Sequence, residues 1–442
     1  MNRAAIILAA GAGTRMKSAT PKVLHQVAGL SMLGHVILAV KGAGAHPIVV
    51  VTARHAQTVR DYAKRQGCEC AIQDKQQGTG HAAAAAAPLL RKFEGDLVIA
   101  YGDMPLLTSK TFEAAFAGRP TDGLVIVAFR ATDPGDYGRV LLAKKDLLDR
   151  IVEFKDAKAS ERKTSLCNTG VMVAEARKFF ALAAKLDNKN AQGEFYLTDV
   201  PMLARKTRAK TAVVVVDESE ALGVNSRAEL AQAESLMQAR LREKALAGGV
   251  SMIAPETVFL SHDTRLDADV ELEPFVVFGP GAAVGAGAKI RAFSHIEAAR
   301  IAPGAVIGPF ARLRPGTVIG SNVHIGNFVE IKNTVMEEGA KASHLTYLGD
   351  AHVGAGANIG AGTITCNYDG FTKQVTDIGA GAFIGSDTAL VAPVKIGDGA
   401  IIAAGSVITE DVAADALAIA RGTQTQKPGW AKAFRDRKSE KK

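Results

Sequence analysis

The sequence predicts two folds in series: an α/β domain on a mostly parallel sheet, then an all-β parallel β-helix. Three observations predict this. Short apolar runs alternate with helical segments over the first half, a single long helical pattern follows, and aliphatic residues then recur at every sixth position.

Up to about residue 225, the runs Ala5–Ala9, Pro47–Thr52, Asp96–Ala100, Gly123–Phe129 and Ala212–Val216 are short and rich in β-branched residues. Between them, segments such as Gly78–Leu90 and Ser109–Ala117 read as helices. That alternation expects helices on both faces of the sheet. Residues 226–247 read as one helix. Ser226 and Glu229 form a capping box, Leu230, Met237 and Leu241 share a stripe, and Gly248-Gly249 ends it. The expected division is therefore 1–225, a linker helix at 226–249, and a second domain at 250–442.

Two stretches of that second domain carry the period. One is Ile301, Ile307, Leu313, Ile319, Ile325, Ile331; the other is Ile378, Ile384, Leu390, Ile396, Ile402, Ile408. Neither a helix nor a flat sheet repeats on six, so each anchor belongs to a short strand of a coil, with Gly often following where the chain turns. At roughly eighteen residues per three-strand coil, residues 250 to 411 hold about nine coils. The period breaks between Ile364 and Ile378, so Thr365–Gly370 and its flank are expected to project as a loop, where function concentrates. Periodicity does not give the coil's hand.

Bulk properties bound the rest. At 442 residues and 48% hydrophobic content the chain can bury two or three cores. No run of eighteen apolar residues predicts a membrane span, and the start lacks a signal-peptide pattern. Cys68, Cys70, Cys167 and Cys366 show no paired CxxC spacing, which points to reduced thiols in a cytoplasm. About half of the +8 net charge falls in the tail, where Lys432, Arg435, Arg437, Lys438, Lys441 and Lys442 outweigh Asp436 and Glu440. No nucleic-acid module accompanies it, and small anionic substrates suit the remaining excess.

The first strand runs into Leu8-Ala9-Ala10-Gly11-Ala12-Gly13-Thr14-Arg15-Met16, with Pro21-Lys22 soon after. Glycines after a parallel strand let backbone N–H groups approach phosphate. The spacing is neither a Walker loop nor the dinucleotide fingerprint, since Met16 and Lys17 stand where a third Gly is needed. Tyr101-Gly102-Asp103 puts a carboxylate at a strand's C-terminal end, where a hard oxygen donor beside a triphosphate suits Mg²⁺. Gln73, Gln76, Gly78 and Thr79 offer amide and backbone groups to a base edge. Together with Tyr137-Gly138-Arg139, Glu153, Asn168 and Asn225, these motifs resemble sugar-phosphate nucleotidyltransferases.

In the second half, Asn327-Phe328-Val329-Glu330-Ile331-Lys332 and the segment from Lys341 to Asp350 interrupt coils otherwise built from Ala, Gly, Val and Ile. Acetyl transfer from a thioester to an amine needs a base, and an ordinary imidazole titrates near neutral pH. His344 is the candidate. Zinc held by three of His262, His295, His324, His344 and His352 is the competing use of such residues, but no close His pair with a third supports it.

Over its full length the chain is similar to the bifunctional enzymes that make UDP-N-acetylglucosamine, an acetyltransferase fused to a uridylyltransferase. The resemblance implies a Rossmann-like first domain and a left-handed β-helix. It implies that Leu8, Ala9, Ala10 and Gly11 contact the nucleotide, with Arg15 and Lys22 on its phosphates. Gln73, Gly78 and Thr79 would face the uracil, with Tyr101 and Gly102 lining the same site. Gly138, Glu153 and Asn168 would hold the amino sugar, and Asp103 and Asn225 would ligate Mg²⁺. In the second domain it implies Arg314, Lys332, Tyr347 and Asn358 for glucosamine-1-phosphate. Ala361, Asn367, Tyr368, Ser386 and Ala404 would take acetyl-CoA, with Arg421 near the coenzyme's phosphates. UTP and acetyl-CoA would be co-substrates, Cys366 a structural residue, and the assembly a homotrimer without nucleic-acid or membrane partners. The alternative is a single-function nucleotidyltransferase whose β-helix is structural. His344, Tyr347 and the loop at 365–377 argue against it, since a purely structural coil has no use for them.

Overall fold

The computed structural model describes residues 2–11, 13–90, 92–143 and 147–439. Ala12 of the glycine-rich turn and Glu440, Lys441 and Lys442 of the basic tail lie outside them. The chain forms two compact units, residues 1–240 and 241–442. The division falls inside the helix Arg227–Ala247, which covers the stretch expected to be helical. Its cap is a variant of the expected box: the Glu229 carboxylate accepts from the Asn225 N–H at 2.7 Å and from the Ser226 hydroxyl at 3.0 Å.

The first unit is built on a nine-stranded sheet. Its strands are β1 (Arg3–Ala9), β2 (Ile48–Ala53), β3 (Glu69–Gln73), β4 (Asp96–Tyr101), β5 (Leu124–Arg130), β6 (Arg139–Leu142), β7 (Leu148–Val152), β8 (Leu166–Glu175) and β9 (Thr211–Val216). The order is β9-β5-β8-β4-β1-β2-β3, with β6 pairing both β8 and β7. Strands β4, β1, β2 and β3 are mutually parallel, as are β5 and β9. Strand β8 is inserted antiparallel between β4 and β5. Side chains of β1 alternate between two cores. Ala4, Ile6 and Leu8 enter one, and Ala5, Ile7 and Ala9 enter the other. Leu33, Val36, Ile37, Phe112 and Phe116 cover one face and Ala82, Ala83, Phe179 and Leu182 the other, so both faces are buried as the alternation required.

One expected helix is broken. Gly78–Leu90 resolves into Thr79–Ala84 and Ala87–Leu90. Pro88 has no N–H to give the carbonyl of Ala84, so the helical ladder cannot run through this point.

In the second unit the anchors of both tracks point inward, from Ile301 at 3% exposure to Ile408 at 5%. Burying each such side chain contributes on the order of 1.5–3 kcal/mol. The strands form parallel sheets of ten and fourteen members, coil stacked on coil. Along the ten-stranded sheet, Ile290, Ile307, Ile325, Ala342, Ile359, Ile384 and Ile402 pair in succession. The steps are therefore 17, 18, 17, 17, 25 and 18 residues. The long step carries the projecting loop, which is closed by a bridge between Tyr368 and Lys373 and leaves Phe371 91% exposed. The anchor before the loop is Thr365, not Ile364. Ile364 faces outward, while the Thr365 hydroxyl turns inward and accepts the Gly349 N–H at 2.8 Å.

One corner of the coil holds residues in left-handed backbone: Phe275, Phe293, Phe310, Phe328 and Leu345. Only an outward-pointing side chain fits there. The four phenyl rings stack with centroids 5.0, 4.8 and 5.2 Å apart, each about half exposed.

Candidate active sites

In the first unit the carboxyl ends of β1 and β4 open onto a cavity of about 290 Å³. Leu8, Ala9, Ala10, Gly11, Lys22, Gln73, Gly78, Thr79, Tyr101 and Asp103 line it, all of them expected site residues. Gly78 caps the helix Thr79–Ala84 with φ +104°, and a Cβ there would stand 2.7 Å from the Phe195 carbonyl oxygen, so only Gly leaves the floor open. Buried Gln73 donates to the Gly78 carbonyl at 3.0 Å. The Gln76 amide caps the Ala10 carbonyl, and Glu194 completes the wall. Glu194 was not foreseen. The Gly80 N–H bonds to the Phe195 carbonyl at 2.8 Å, a contact across more than a hundred residues that no local pattern announces. Gly102 donates its N–H to the Leu8 carbonyl at 2.9 Å, tying the two strand ends together. Arg15 lies exposed in the turn Thr14–Met16.

At the lip, the Lys22 ammonium contacts the Asp103 carboxylate and lies 2.9 Å from the Asn225 amide oxygen. The Val224 N–H bonds the Asp103 carbonyl at 2.9 Å, holding the two segments together. Two hard oxygens thus converge on one cation, which fits a Mg²⁺ completed by phosphate oxygens and water. Among the described residues no cluster of three or more His, Cys, Asp or Glu is arranged to hold a metal.

The residues expected to hold the sugar come together just before β6 begins (Gly138), just after β7 ends (Glu153) and within β8 (Asn168). The Asn168 N–H bonds the Gly138 carbonyl at 2.8 Å, and a Cβ on Gly138 would lie 3.4 Å from the Glu153 carboxylate. Thr198 donates its hydroxyl to Glu153 at 2.9 Å. Burial, aided by Asp156 and Asp199, pushes the Glu153 carboxyl above its ordinary range against that hydrogen bond. Burial likewise raises the Tyr101 phenol. The Tyr101 ring fills the space where a Cβ of Gly170 would be.

In the second unit, His344 ends the strand Lys341–His344, exposed, with Nδ1 2.8 Å from the Asn327 amide oxygen. That oxygen only accepts, so a neutral His344 ring carries its proton on Nδ1 and its lone pair on Nε2. Asn327 is the partner that sequence reasoning named but gave no role; the signal was its place one coil before His344. Below His344 the same corner continues. Gly362 N–H bonds the Leu345 carbonyl, Asp387 N–H the Ala361 carbonyl at 2.8 Å, and Gly405 N–H the Ser386 carbonyl at 2.8 Å. Arg421 then reaches the Ala404 carbonyl at 2.6 Å. His344, Ala361, Ser386, Ala404 and Arg421 therefore form one column.

Asn367 and Tyr368 depart from that column. Asn367 is buried, its amide donating to Asp350 at 2.5 Å, and Asp350 also takes the Asn333 amide at 2.7 Å. Tyr368 is exposed on the loop and donates to the Gly370 carbonyl at 2.6 Å. Arg314 pairs with Glu330 at 2.7 Å, and Tyr347 and Lys332 lie on neighbouring strands, with Lys332 opposite Gly349. Lys373, from the loop, lies beside Lys332, and a side-chain hydrogen bond with Lys332, followed by that residue's charge, holds the Lys373 ammonium below its usual range. Asn358 sits half-buried between Lys341 and Phe383. Cys366 is a free thiol in the strand Ile364–Cys366.

A strand-end nucleotide cavity with a cation clamp, followed by a coil bearing a fixed imidazole, defines a nucleotidyltransferase joined to a hexapeptide transferase. The family models agree: a MobA-like NTP transferase domain matches residues 5–168, and bacterial transferase hexapeptides match residues 298–333 and 376–410. The chain is similar to the bifunctional protein GlmU of Maricaulis maris, at 59% identity over 100% of this chain and 98% of that one. It also resembles those of Parvibaculum lavamentivorans, at 57% over 99% and 97%, and Paramagnetospirillum magneticum, at 50% over 99% and 98%. The chain belongs to the bifunctional GlmU family, and its activities are acetyl transfer and uridylyl transfer. The hexapeptide match and parallel coils are those of a left-handed β-helix.

Proposed function

We propose that residues 250–442 acetylate glucosamine-1-phosphate from acetyl-CoA and that residues 1–225 join the product to UTP, giving UDP-N-acetylglucosamine and pyrophosphate. The observation that carries the uridylyl assignment is the meeting of Lys22, Asp103 and Asn225 at the mouth of the nucleotide cavity. The sugar phosphate oxygen attacks the α-phosphorus of UTP in line, and pyrophosphate leaves. Such a transition state needs positioning and charge neutralisation rather than a protein nucleophile. Lys22 and Arg15 hold phosphate oxygens, Gln73 and Thr79 orient the base, and Gly138, Glu153 and Asn168 hold the amino sugar. Mg²⁺ on Asp103 and Asn225 would neutralise the charge on the leaving pyrophosphate.

In the acetyl transfer His344 takes a proton through Nε2 from the ammonium of glucosamine-1-phosphate. The neutral amine attacks the thioester carbonyl, the C–S bond breaks, and the departing coenzyme A thiolate takes the proton that the nitrogen sheds as it becomes an amide. Arg314, Lys332, Tyr347 and Asn358 hold the acceptor, and the column from Ala361 to Arg421 lies along the coenzyme. The exposed phenyl stack supports assembly of copies along the β-helix, a homotrimer by family resemblance. No helix among the described residues is long and apolar enough to cross a membrane.

The test follows coenzyme A and pyrophosphate separately in one incubation with glucosamine-1-phosphate, acetyl-CoA, UTP and Mg²⁺. His344→Ala is expected to lose coenzyme A release, and with it pyrophosphate release until N-acetylglucosamine-1-phosphate is supplied. Asp103→Ala, given N-acetylglucosamine-1-phosphate, is expected to lose only pyrophosphate release. A His344→Ala protein with normal coenzyme A release would overturn the base assignment.

A further inference from the structure

Arg139 is 2% exposed, and among the described residues its guanidinium hydrogen bonds go to main-chain carbonyls. Its Nε donates to the Arg162 carbonyl at 3.2 Å and Nη2 to the Gly135 carbonyl at 2.9 Å. Nη1 serves the carbonyls of Tyr137 and, at 3.3 Å, Pro134. The guanidinium carbon also stands 5.5 Å from the centre of the Phe154 ring. A buried cation costs heavily unless hydrogen-bonded, so this one is retained at a site where four hydrogen bonds from its planar fork hold backbone in place.

What it holds is the sugar side of the uridylyl cavity. Arg139 follows Gly138 directly. Across the β6–β7 pair it faces Val152, the residue before Glu153, and across β6–β8 it faces Cys167, the residue before Asn168. All three proposed sugar contacts are thus one residue from the register position of Arg139. The loop it gathers, Pro134 to Tyr137, leads straight into Gly138, and the Phe154 ring it covers follows Glu153.

We infer that Arg139 is a positioning residue for the amino-sugar phosphate, fixing Gly138, Glu153 and Asn168 at their mutual spacing without touching the substrate. Lysine keeps the charge but has no planar fork, so Arg139→Lys loosens the loop while leaving the nucleotide wall at Leu8–Gly11 and Gln73–Thr79 untouched. This rests on the reading of Gly138, Glu153 and Asn168 as sugar contacts.

The experiment is steady-state uridylyl transfer by the full chain with Mg²⁺, varying N-acetylglucosamine-1-phosphate and UTP separately, with melting temperature recorded for each protein. Arg139→Lys is expected to raise KM for the sugar phosphate roughly tenfold while KM for UTP stays within about twofold. Equal changes in both KM values, or a lower melting temperature with neither KM changed, would show a purely structural arginine and overturn the inference. If Arg139→Lys does not fold, Phe154→Leu removes the ring under the guanidinium and is expected to raise the same KM selectively; failure to do so overturns it equally. Glu153→Gln separates the two levels. If Glu153→Gln raises the sugar-phosphate KM and Arg139→Lys does not, the inference alone fails. If Glu153→Gln leaves that KM unchanged, the assignment of the sugar side falls, and the inference with it.

Discussion

His344 and Asn327 show how a single hydrogen bond sets the reactivity of a ring. With Nδ1–H committed to the amide oxygen, Nε2 is the only basic nitrogen, and the imidazole cannot rotate freely. Removing the base in His344→Ala should cost roughly 10²–10⁴-fold in coenzyme A release, the usual worth of a positioned general base. Asn327→Ala keeps the base and loses its aim, so a smaller fall in the same kcat is expected, with pyrophosphate release from supplied N-acetylglucosamine-1-phosphate unchanged; equal activity to wild type would remove Asn327 from the reaction. In the first unit, Gly78→Ala places a Cβ at φ +104° against the Phe195 carbonyl. A loss of about 1–3 kcal/mol in stability is expected from that strain, read as a lower melting temperature. The motifs that surround Lys22, Asp103 and Gly78 were legible because each is a contiguous run with its own turn chemistry. Asn327, Glu194 and Lys373 were not, since their roles depend on residues that folding alone brings near.

At the level of elements, the six-residue period named every inward anchor of both tracks because it fixes which side chains face the core. It did not give the exact coil lengths, so pairs such as Asn327 with His344 and Arg314 with Glu330 emerge only from the register. The antiparallel β8 was equally hidden, since strand direction depends on distant partners and not on local pattern. Close coil stacking carries its own prediction. A Cβ on Gly326 would overlap the Ser343 carbonyl oxygen of the next coil, so Gly326→Ala should destabilise the β-helix by about 1–3 kcal/mol, visible in thermal unfolding. A further test concerns His352, set between Glu337 at 3.0 Å and Asp377 at 2.9 Å, with Lys395 3.9 Å from Asp377. The Asp377 hydrogen bond leads in raising the His352 imidazole, and the His352 bond lowers Glu337. A raised histidine stabilises fully below its unfolded value and loses that contribution as pH rises through its folded one. The lowered glutamate contributes above its unfolded value and loses it as pH falls through its folded one. The melting-temperature difference between wild type and His352→Gln should therefore be larger at about pH 5.5 than at about pH 9. An equal difference at both would remove the charge argument.

For the whole molecule, the two reactions draw on different chemistry and should separate under chelation. Removing divalent metal with EDTA is expected to stop pyrophosphate release and leave coenzyme A release intact, because His344 needs no cation. Loss of both activities would place a metal in the second site as well. The +8 net charge suits the anionic substrates of both sites, and raised salt should weaken their capture more than it slows turnover. The coil steps of 17 and 18 residues carry a final consequence, for how such a chain can change in evolution. Asn327 meets His344 only because one full lap of backbone separates them, and the same holds for Asn333 with Asp350 and Asp350 with Asn367. A lap absorbs a one-residue difference, as the 17- and 18-residue steps show, but losing several residues puts every later partner out of step, whereas losing a whole lap merely shortens the column. Viable length variants of this half should therefore come in quanta of one lap, or as excursions like the loop at 365–377 that leave and rejoin the track in phase.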